Sequence, residues 1–166
     1  MRVDAAPALA ALATLAQTIA EAANNDAIFA AVSETANDLI GHRLFTIMAF
    51  DAAATQVQRV YSSNADAYPT GGRKDKRETA WGRQVLEEGR PFIGRTADDI
   101  RAHFDDHMVI LGLGLESVLN VPVRLRGQTI GTMNLLHAAH HYDTADLDLA
   151  FPLAGQLVAP LTEAIG

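Results

Sequence analysis

The segment 117–134 constrains the fold more strongly than any other part of this chain. It lies within two strand-like runs, 116–125 and 128–137, that flank a tight Arg126-Gly127 turn. A two-residue turn with glycine between apolar runs is typical of a β-hairpin. Both faces of the predicted hairpin are largely apolar, so the sheet that contains it is expected to be covered on both sides.

The predicted turn also sets the register between the two strands. With a two-residue loop, Val121 faces Thr132. Thr132 and Asn134 then lie on one face of the hairpin, and Asn120 lies on the other. Because Pro122 has no N–H to donate, a bulge or a one-sided pairing is expected there.

Hydrophobic periodicity predicts the remaining elements. Helices are expected over residues 7–23, 26–40, 79–88, 96–111 and 144–165, and strands over 44–51, 56–62 and 91–94. The stretch 63–78 is predicted to be irregular. Pro152 and Pro160 interrupt the last helix and predict a kink or a break in it.

This order of elements predicts an α+β domain that spans residues 1–166. Strands joined by hairpins imply an antiparallel sheet, and we expect a central sheet of five to six strands. The N- and C-terminal helices are expected to pack on one face. The loop and short helices of the middle segment are expected to cover the other face and to enclose a pocket.

Composition excludes several classes of function. The chain has 166 residues, a net charge of −7 and no cysteine. Without cysteine there is no disulfide, thiolate catalysis or cysteine-ligated metal, and this absence is typical of an intracellular protein, here a cytoplasmic one. The negative charge disfavours nucleic acid as a partner. No apolar run is long enough to span a membrane.

Positive charge is concentrated in the middle of the chain. Nine of the thirteen Lys and Arg residues fall within 59–101, together with seven acids, so this window has a net charge of +2. It contains the motif Gly71-Gly72-Arg-Lys-Asp-Lys-Arg77, which lacks the Gly-Lys-Ser/Thr of a phosphate-binding loop. Two interpretations remain: a solvated surface loop, or a cationic segment that binds a carboxylate or a phosphate.

Four features carry a resemblance to a known family. They are the strand Ser117-Val-Leu-Asn-Val-Pro122, the turn at Gly127, the strand Ile130-Gly-Thr-Met-Asn134 and the approach to the last helix from Tyr142 to Asp146. Following two N-terminal helices and the strand 44–51, they resemble the GAF domain over about residues 27–165. The resemblance implies a signal-transduction sensor with a small-molecule pocket between sheet and middle segment, and a homodimer formed by its terminal helices.

Known activities of GAF domains can be compared with these residues. Members that reduce free methionine sulfoxide, and members that bind bilins covalently, use cysteine, which this chain lacks. Members that bind cyclic nucleotides carry an Asn-Lys…Phe…Asp-Glu pattern, in which Asn134, Tyr142 and Asp146 match three positions. Leu135 and Leu147 stand at the Lys and Glu positions, so the ionic half of that pattern is missing.

Aromatic and polar side chains provide the candidate pocket residues. Trp81, the only tryptophan, is expected to form an apolar wall or, alternatively, to fill the space itself. Polar residues on apolar strands need a hydrogen-bond partner, either a ligand or a neighbouring backbone group. The predicted set is Tyr61, Tyr68, Trp81, Arg83, Phe92, Phe104, His107, Ser117, Asn120, Thr132 and Asn134.

Two histidine clusters provide the alternative of a metal or haem sensor. His103 and His107 are four residues apart and are expected to share one face of a helix, although a surface helix is the favoured interpretation. His137, His140 and His141 form a second cluster, which polar loop contacts also explain. No Ser–His–Asp or paired-carboxylate arrangement stands out, so we assign no catalytic residue. We also assign no metal ligand, and the sequence does not identify a cofactor.

The N-terminal segment 1–23 is more apolar than packing on one small domain requires. Leu9, Leu12 and Ile19 recur at helical spacing and are interleaved with alanines. Together with the last helix they predict a homodimer interface, unless these helices only pack on the sheet. A remaining hypothesis is a dimerisation or partner-docking module whose pocket is filled by its own side chains.

Overall fold

The computed structural model describes residues 3–53, 55–75 and 78–165. Its elements in chain order are α1 (Ala5–Ala20), α2 (Asn25–Leu39), β1 (Leu44–Asp51), β2 (Gln56–Ser62), β3 (Gly71–Asp75), α3 (Ala80–Gly82), β4 (Phe92–Gly94), α4 (Ala97–His103), α5 (His107–Gly112), β5 (Ser117–Leu125), β6 (Gln128–His137), α6 (Leu147–Gly155) and α7 (Val158–Ile165). A π-helical turn (Arg83–Glu87) continues α3, and a 3-10 turn (Thr144–Asp146) precedes α6. No helix in the described ranges is long and apolar enough to cross a membrane.

The strands form one antiparallel sheet of six strands in the order β3-β2-β1-β6-β5-β4. Helices α1, α2, α6 and α7 pack on one face, where Leu15, Phe29 and Leu157 meet Ile47 and Val121 of the strands. Each such side chain contributes about 1.5–3 kcal/mol when fully buried. The segment between β3 and β5 covers the opposite face through two smaller apolar clusters. The predicted α+β architecture is therefore confirmed.

A β-bulge in the β5–β6 hairpin changes its predicted register. The pairing shifts directly after Val123, so Val121 lies opposite Met133 and not opposite Thr132. A bulge inserts one extra residue into a strand, and every side chain beyond it changes face relative to the partner strand. The irregularity expected at Pro122 is thus found after Val123, and the extra residue is Ile130 of β6.

The same bulge brings two polar side chains together. Asn120 pairs directly with Asn134, so both lie on the face that the middle segment covers. The prediction that they lie on opposite faces is wrong, because it assumed an uninterrupted ladder from the Arg126-Gly127 turn.

A second bulge, between β1 and β2, separates Tyr61 from Arg59. Ile47 pairs with Tyr61 and the next residue of β1 pairs with Arg59, which leaves Val60 as the extra residue. Tyr61 therefore points to the helical face, where its ring lies 6.2 Å from Phe45. Its predicted place in the pocket was wrong for this reason, whereas Arg59 faces the middle segment.

The stretch predicted to be irregular contains the edge strand β3. Gly71 and Gly72 have positive φ angles of 85° and 68°, which periodicity in the sequence does not reveal. All five residues of β3 are exposed, and its charged side chains suit an unpaired sheet edge. Lys76 and Arg77 of the basic motif lie outside the described residues.

The two longest predicted C-terminal helices are each divided. Phe104 has extended backbone (φ −127°, ψ 125°), so α4 ends there, and the aspartates that follow favour a turn over a helix interior. The last helix breaks between α6 and α7, where Leu157 N donates to Ala154 O. Pro152 lies inside α6, whereas Pro160 falls in the first turn of α7, where a missing N–H costs little.

Candidate functional site

A cavity of about 150 Å³ lies between the sheet and the middle segment. Strands β1, β5 and β6 form its floor, and α3 and α5 with the residues around them form one wall. The floor and this wall comprise Thr46, Met48, Val118, Asn120, Asn134, Leu136, Trp81, Phe104 and Ile110. The remaining wall comprises Val57, Arg59, Tyr68, Gly71, Gly72, Arg73, Lys74 and Asp106. Because the residues of β3 among these are exposed, the cavity opens on that side.

Polar side chains of the floor hydrogen-bond to one another in a chain. The Nε1–H of Trp81 donates to Asn120 Oδ1 at 3.0 Å, and Asn120 Nδ2 donates to Asn134 Oδ1 at 2.7 Å. Asn134 Nδ2 in turn donates to Thr46 Oγ1 at 3.2 Å. All four residues are buried, and each polar group left without a partner would cost about 1–3 kcal/mol. The chain therefore fixes the indole of Trp81 against the sheet.

A second set of contacts joins residues of the remaining wall. The hydroxyl of Tyr68, in the β2–β3 loop, donates to the carboxylate of Asp106. The guanidinium of Arg59 lies 3.7 Å from the ring centroid of Tyr68, and its Nη1 donates to Pro69 O at 2.8 Å. Burial and the bond to Asp106 raise the pKa of Tyr68 above its ordinary value, so this hydroxyl stays protonated near neutral pH.

The Arg59 side chain carries a buried donor, its Nε–H. Among the described residues its buried Nε has no hydrogen-bond partner. Nε–H and one Nη group share an edge of the guanidinium, and this edge binds a carboxylate through two parallel hydrogen bonds. A buried cationic donor without an acceptor is unfavourable. Because Arg59 lines the cavity, an anion bound beside this edge of the guanidinium would satisfy the donor.

Further positive charge surrounds the opening. Arg73 and Lys74 line the cavity from β3. Arg73 Nη1 lies 3.9 Å from Asp51 Oδ2, and both side chains are about half exposed, so this ion pair is weak. Asp106 is the acidic residue on the described cavity wall, and Tyr68 already binds it.

A family model for the GAF domain matches residues 10–159. The match spans most of the chain and the whole of the sheet. The chain belongs to the GAF domain family. No curated protein matches it.

Several solved structures, including other GAF domains, share this fold. The GAF domain of a phosphoenolpyruvate-protein phosphotransferase from Coxiella burnetii is similar with a TM-score of 0.78 at 18% identity, over 98% of this chain and 96% of that one. The corresponding domain from Acinetobacter has a TM-score of 0.76 at 16% identity, over 95% and 94% of the two chains. JSC1_58120g3 in its far-red absorbing dark state with bound biliverdin IXa has a TM-score of 0.68 at 16% identity, over 93% and 98%.

In this GAF domain, part of the predicted pocket set lines the cavity. The residues that do so are Tyr68, Trp81, Phe104, Asn120 and Asn134. They come from the β2–β3 loop, α3, the α4–α5 turn and the central hairpin, and the fold brings them together around one space. Whether they contact a ligand stays a prediction.

The other predicted residues lie elsewhere. Arg83 is exposed on the π-helical turn, and Phe92 packs against Phe104 and His103 with ring centroids 6.2 Å and 4.6 Å away. Ser117 Oγ donates to Ala138 O at 2.6 Å, which is the backbone partner considered for it.

Thr132 and His107 also lie outside this cavity. Thr132 is fully buried, and its Oγ1 has no hydrogen-bond partner within the described part of the chain. His107 lines a second cavity of about 200 Å³ together with Arg101 and His103. Trp81 and Phe104 border both cavities.

Several cavity residues were not predicted, above all Arg59, Asp106 and Thr46. Arg59 had a signal, because it is the single charged residue in the alternating pattern of β2. Thr46 sits in an otherwise apolar central strand, which is a similar signal. Asp106 carries no distinguishing feature in the sequence, since its role depends on contact with Tyr68.

The histidine clusters differ from the predicted geometry. His103 ends α4 and His107 begins α5, so they do not share a helical face. Their Nδ1 atoms hydrogen-bond to Asp99 O and Phe104 O at 2.9 Å and 2.8 Å. Within residues 3–53, 55–75 and 78–165, no group of three or more His, Cys, Asp or Glu could hold a metal ion.

The residues that match the cyclic-nucleotide pattern are not brought together around the cavity. Asn134 lines it, whereas Tyr142 is buried in the helical core and donates to Gly41 O at 2.9 Å. Asp146 accepts a hydrogen bond from Asp143 N at 2.9 Å in a capping box. Two of the three matching residues thus have structural contacts outside the cavity.

Proposed function

We propose that this GAF domain is a sensory module that binds a small anionic or carboxylate-bearing molecule in the cavity beneath Trp81. The observation that carries this proposal is the buried Nε of Arg59, which has no hydrogen-bond partner among the described residues, in a cavity whose accessible lining is mainly apolar. Apolar walls with a few placed polar groups are typical of small-molecule sites. Arg73 and Lys74 at the opening add attraction for an anion.

The two alternatives receive less support. A module whose pocket is filled by its own side chains would have no space beneath Trp81, where a volume of about 150 Å³ is found. A metal or haem sensor would need ligands from the histidine clusters. The Nδ1 atoms of His103 and His107 instead hydrogen-bond to backbone carbonyls, and the two residues lie on separate helices.

The proposal includes the absence of catalysis. The chain has no cysteine, so thiol-dependent reduction of methionine sulfoxide has no nucleophile here. The polar groups of the described floor bind each other and do not form a nucleophile–base pair. A cytoplasmic location is proposed because the chain has no cysteine, which is typical of intracellular proteins.

We further propose that the helical layer forms a homodimer. Only Ala8 and Leu15 of α1 are buried, although most of the helix is apolar. Leu9 is 70% exposed, and Phe151 of α6 is 49% exposed. A second copy of this surface would cover both side chains.

Thermal unfolding in the presence of a panel of small organic acids tests ligand binding. A ligand at a hundred times its Kd stabilises the folded state by about 2.7 kcal/mol, which corresponds to a rise in Tm of roughly 5–10 °C for a domain of this size. Native mass spectrometry of freshly purified protein would show a ligand that is retained.

A matched pair of variants locates the binding. Met48→Phe adds volume at the cavity floor, whereas Met108→Phe makes the same change on α5 at a side chain that is 80% exposed. We expect the first variant to lose the Tm shift and the second to keep it. The proposal fails if no acid shifts the Tm, or if Met48→Phe responds as the unmodified protein does.

A further inference from the structure

The size of the cavity limits its ligand to about one six-membered ring. Its volume is about 150 Å³, and an apolar cavity of about 150 Å³ in another protein binds benzene. Ordinary drug-sized ligands occupy sites of about 300–1,000 Å³. A tetrapyrrole or a nucleotide exceeds this volume, so it would extend through the opening at β3 or require this GAF domain to rearrange.

The shape of the cavity favours a flat, aromatic ring. The rings of Trp81 and Phe104 border it with centroids 6.3 Å apart and an interplanar angle of 61°. Rings at such an angle offer a third ring both an edge and a face, and each favourable aromatic pair contributes about 0.5–1.5 kcal/mol beyond burial. The hydrogen bond to Asn120 holds the indole in this orientation.

Arg59 provides the anchor for a charged head group. Its Nη1 donates to Pro69 O, and its guanidinium stacks on the ring of Tyr68. Because the side chain is already oriented, it loses little conformational entropy on binding. The buried Nε belongs to the opposite edge and lacks a partner among the described residues. A carboxylate fits this edge with two parallel hydrogen bonds.

The other charged residues that line the cavity favour an anion. Arg73 and Lys74 line the cavity from β3, and Asp106 faces it from the turn before α5. The carboxylate of Asp106 accepts a hydrogen bond from the hydroxyl of Tyr68. This hydrogen bond partly disperses the negative charge of Asp106. Among the residues that line the cavity, two cations in addition to Arg59 thus oppose one carboxylate, although Arg73 also lies 3.9 Å from the carboxylate of Asp51 outside the lining.

We propose that the ligand of this cavity is a monocyclic aromatic carboxylate, with its ring against Trp81 and Phe104 and its carboxylate on the free edge of Arg59. The inference rests on the proposed function, since it names the ligand class of the same cavity. Benzoate is the simplest member of the class and serves as the probe.

The experiment uses the single tryptophan as a reporter. Because Trp81 is the only tryptophan and borders the cavity, its fluorescence should change on binding, and calorimetry provides an independent Kd. We expect saturable binding of benzoate, binding at least tenfold weaker for benzamide and for acetate, and none for 1-naphthoate. Benzamide tests the need for a negative charge, acetate tests the need for a ring, and 1-naphthoate tests the size limit.

Arginine variants test the anchor. Arg59→Met removes the paired hydrogen bonds and should weaken benzoate binding about 10- to 100-fold, as loss of a charge-assisted pair implies. Arg59→Lys keeps the charge without the bidentate edge, so its Kd for benzoate should lie between those of the unmodified protein and of Arg59→Met. Arg90→Met makes the same charge change at an exposed residue paired with Glu88 and should leave the Kd unchanged. Circular dichroism and Tm confirm that each variant is folded.

The outcomes separate the ligand class from the proposed function. If benzamide binds as tightly as benzoate, or if Arg59→Met and Arg90→Met behave alike, the anchor is wrong. If benzoate does not bind while another small molecule does, and Met48→Phe abolishes that binding, the ligand class is overturned and the proposed function stands. If no molecule binds to the cavity, both are overturned.

Discussion

The polar chain beneath Trp81 shows how single residues specify this cavity. Asn120 accepts from the indole and donates to Asn134, so one amide satisfies two buried groups. An asparagine on an apolar strand signals in the sequence that a partner must exist. The identity of the partner depends on strand register, and a bulge decides that register.

Replacing Asn120 tests the energy of this chain. We expect Asn120→Ala to lower the free energy of unfolding by about 1–3 kcal/mol, because the Trp81 N–H and the Asn134 Oδ1 both lose a buried partner. Urea denaturation measures the change. Trp81→Phe is the control, since in its background Asn120→Ala should cost less. Additive costs would show that the indole–amide bond contributes little.

Two half-buried histidines should make stability depend on pH. Burial lowers the pKa of His42 and of His137, and the nearby charge of His141 adds to the effect on His137. Their imidazoles stay neutral in the folded protein at a pH where the unfolded chain, with a pKa of about 6.5, already takes up protons. The unfolded state then binds more protons, so stability falls as the pH decreases below about 6.5 until the folded-state pKa is reached.

Denaturation at pH 7.5, 6.5 and 5.5 measures this dependence. We expect the unmodified protein to lose stability across this range, and a variant with both His42→Gln and His137→Gln to lose less. His140→Asn, which removes an exposed histidine at a positive φ of 62°, is the control. An equal slope in the double variant and the unmodified protein would assign the pH dependence to other groups.

At the scale of the elements, bulges and a glycine determine which faces meet. Strand β6 needs Gly131 because the helix α7 and strand β1 both approach it closely. A Cβ at this position would lie 2.4 Å from Met48 O and 2.6 Å from Leu161 Cδ1. The backbone oxygen cannot move aside without breaking the β1–β6 ladder.

Gly131→Ala should therefore be severely destabilising. We expect a loss of about 3 kcal/mol in the free energy of unfolding, the upper range for overpacked positions. Gly155→Ala, in α6 with no atom within 4 Å of the added Cβ, should be neutral or stabilise by up to about 1 kcal/mol. Thermal unfolding of the two variants compares them directly. Equal Tm values would show that the sheet adjusts to the methyl group at low cost.

At the scale of the whole molecule, the sheet separates two layers with different roles. The helical layer carries the main apolar core and the exposed side chains proposed for dimerisation. The middle segment carries the cavity. The proposed ligand site and the proposed dimer interface thus lie on opposite faces of one sheet, so each can be altered by substitutions that do not contact the other.

The dimer is tested by measuring mass in solution. We expect the unmodified protein to sediment as a dimer and Leu9→Glu to shift it towards monomer, because a charge would be buried at the proposed interface. Met108→Glu makes the same change in charge at a side chain that is 80% exposed outside the helical layer and should not alter the mass. A monomeric unmodified protein, or a dimer unaffected by Leu9→Glu, would contradict the helical interface.

Much of the fold follows from local sequence patterns. The bounds of β1 and β2 were predicted to the residue, and the β5–β6 hairpin to within one residue, since apolar runs and turn residues are local signals. Strand β3 was missed because its residues are glycines and charges, which are poor strand formers. It forms by pairing with β2, a contact that no local pattern encodes.

The sequence by itself determined the α+β order of elements, the covered sheet, the absence of thiol chemistry and the polar positions that need partners. Only the tertiary structure decided which of those positions face the cavity. Two bulges moved Tyr61 to the helical face and placed Asn120 beside Asn134, and the β2–β3 loop brought Tyr68 to Arg59 and Asp106. The physical reason is that strands have a period of two, so one inserted residue exchanges the faces of a strand while leaving its local pattern unchanged.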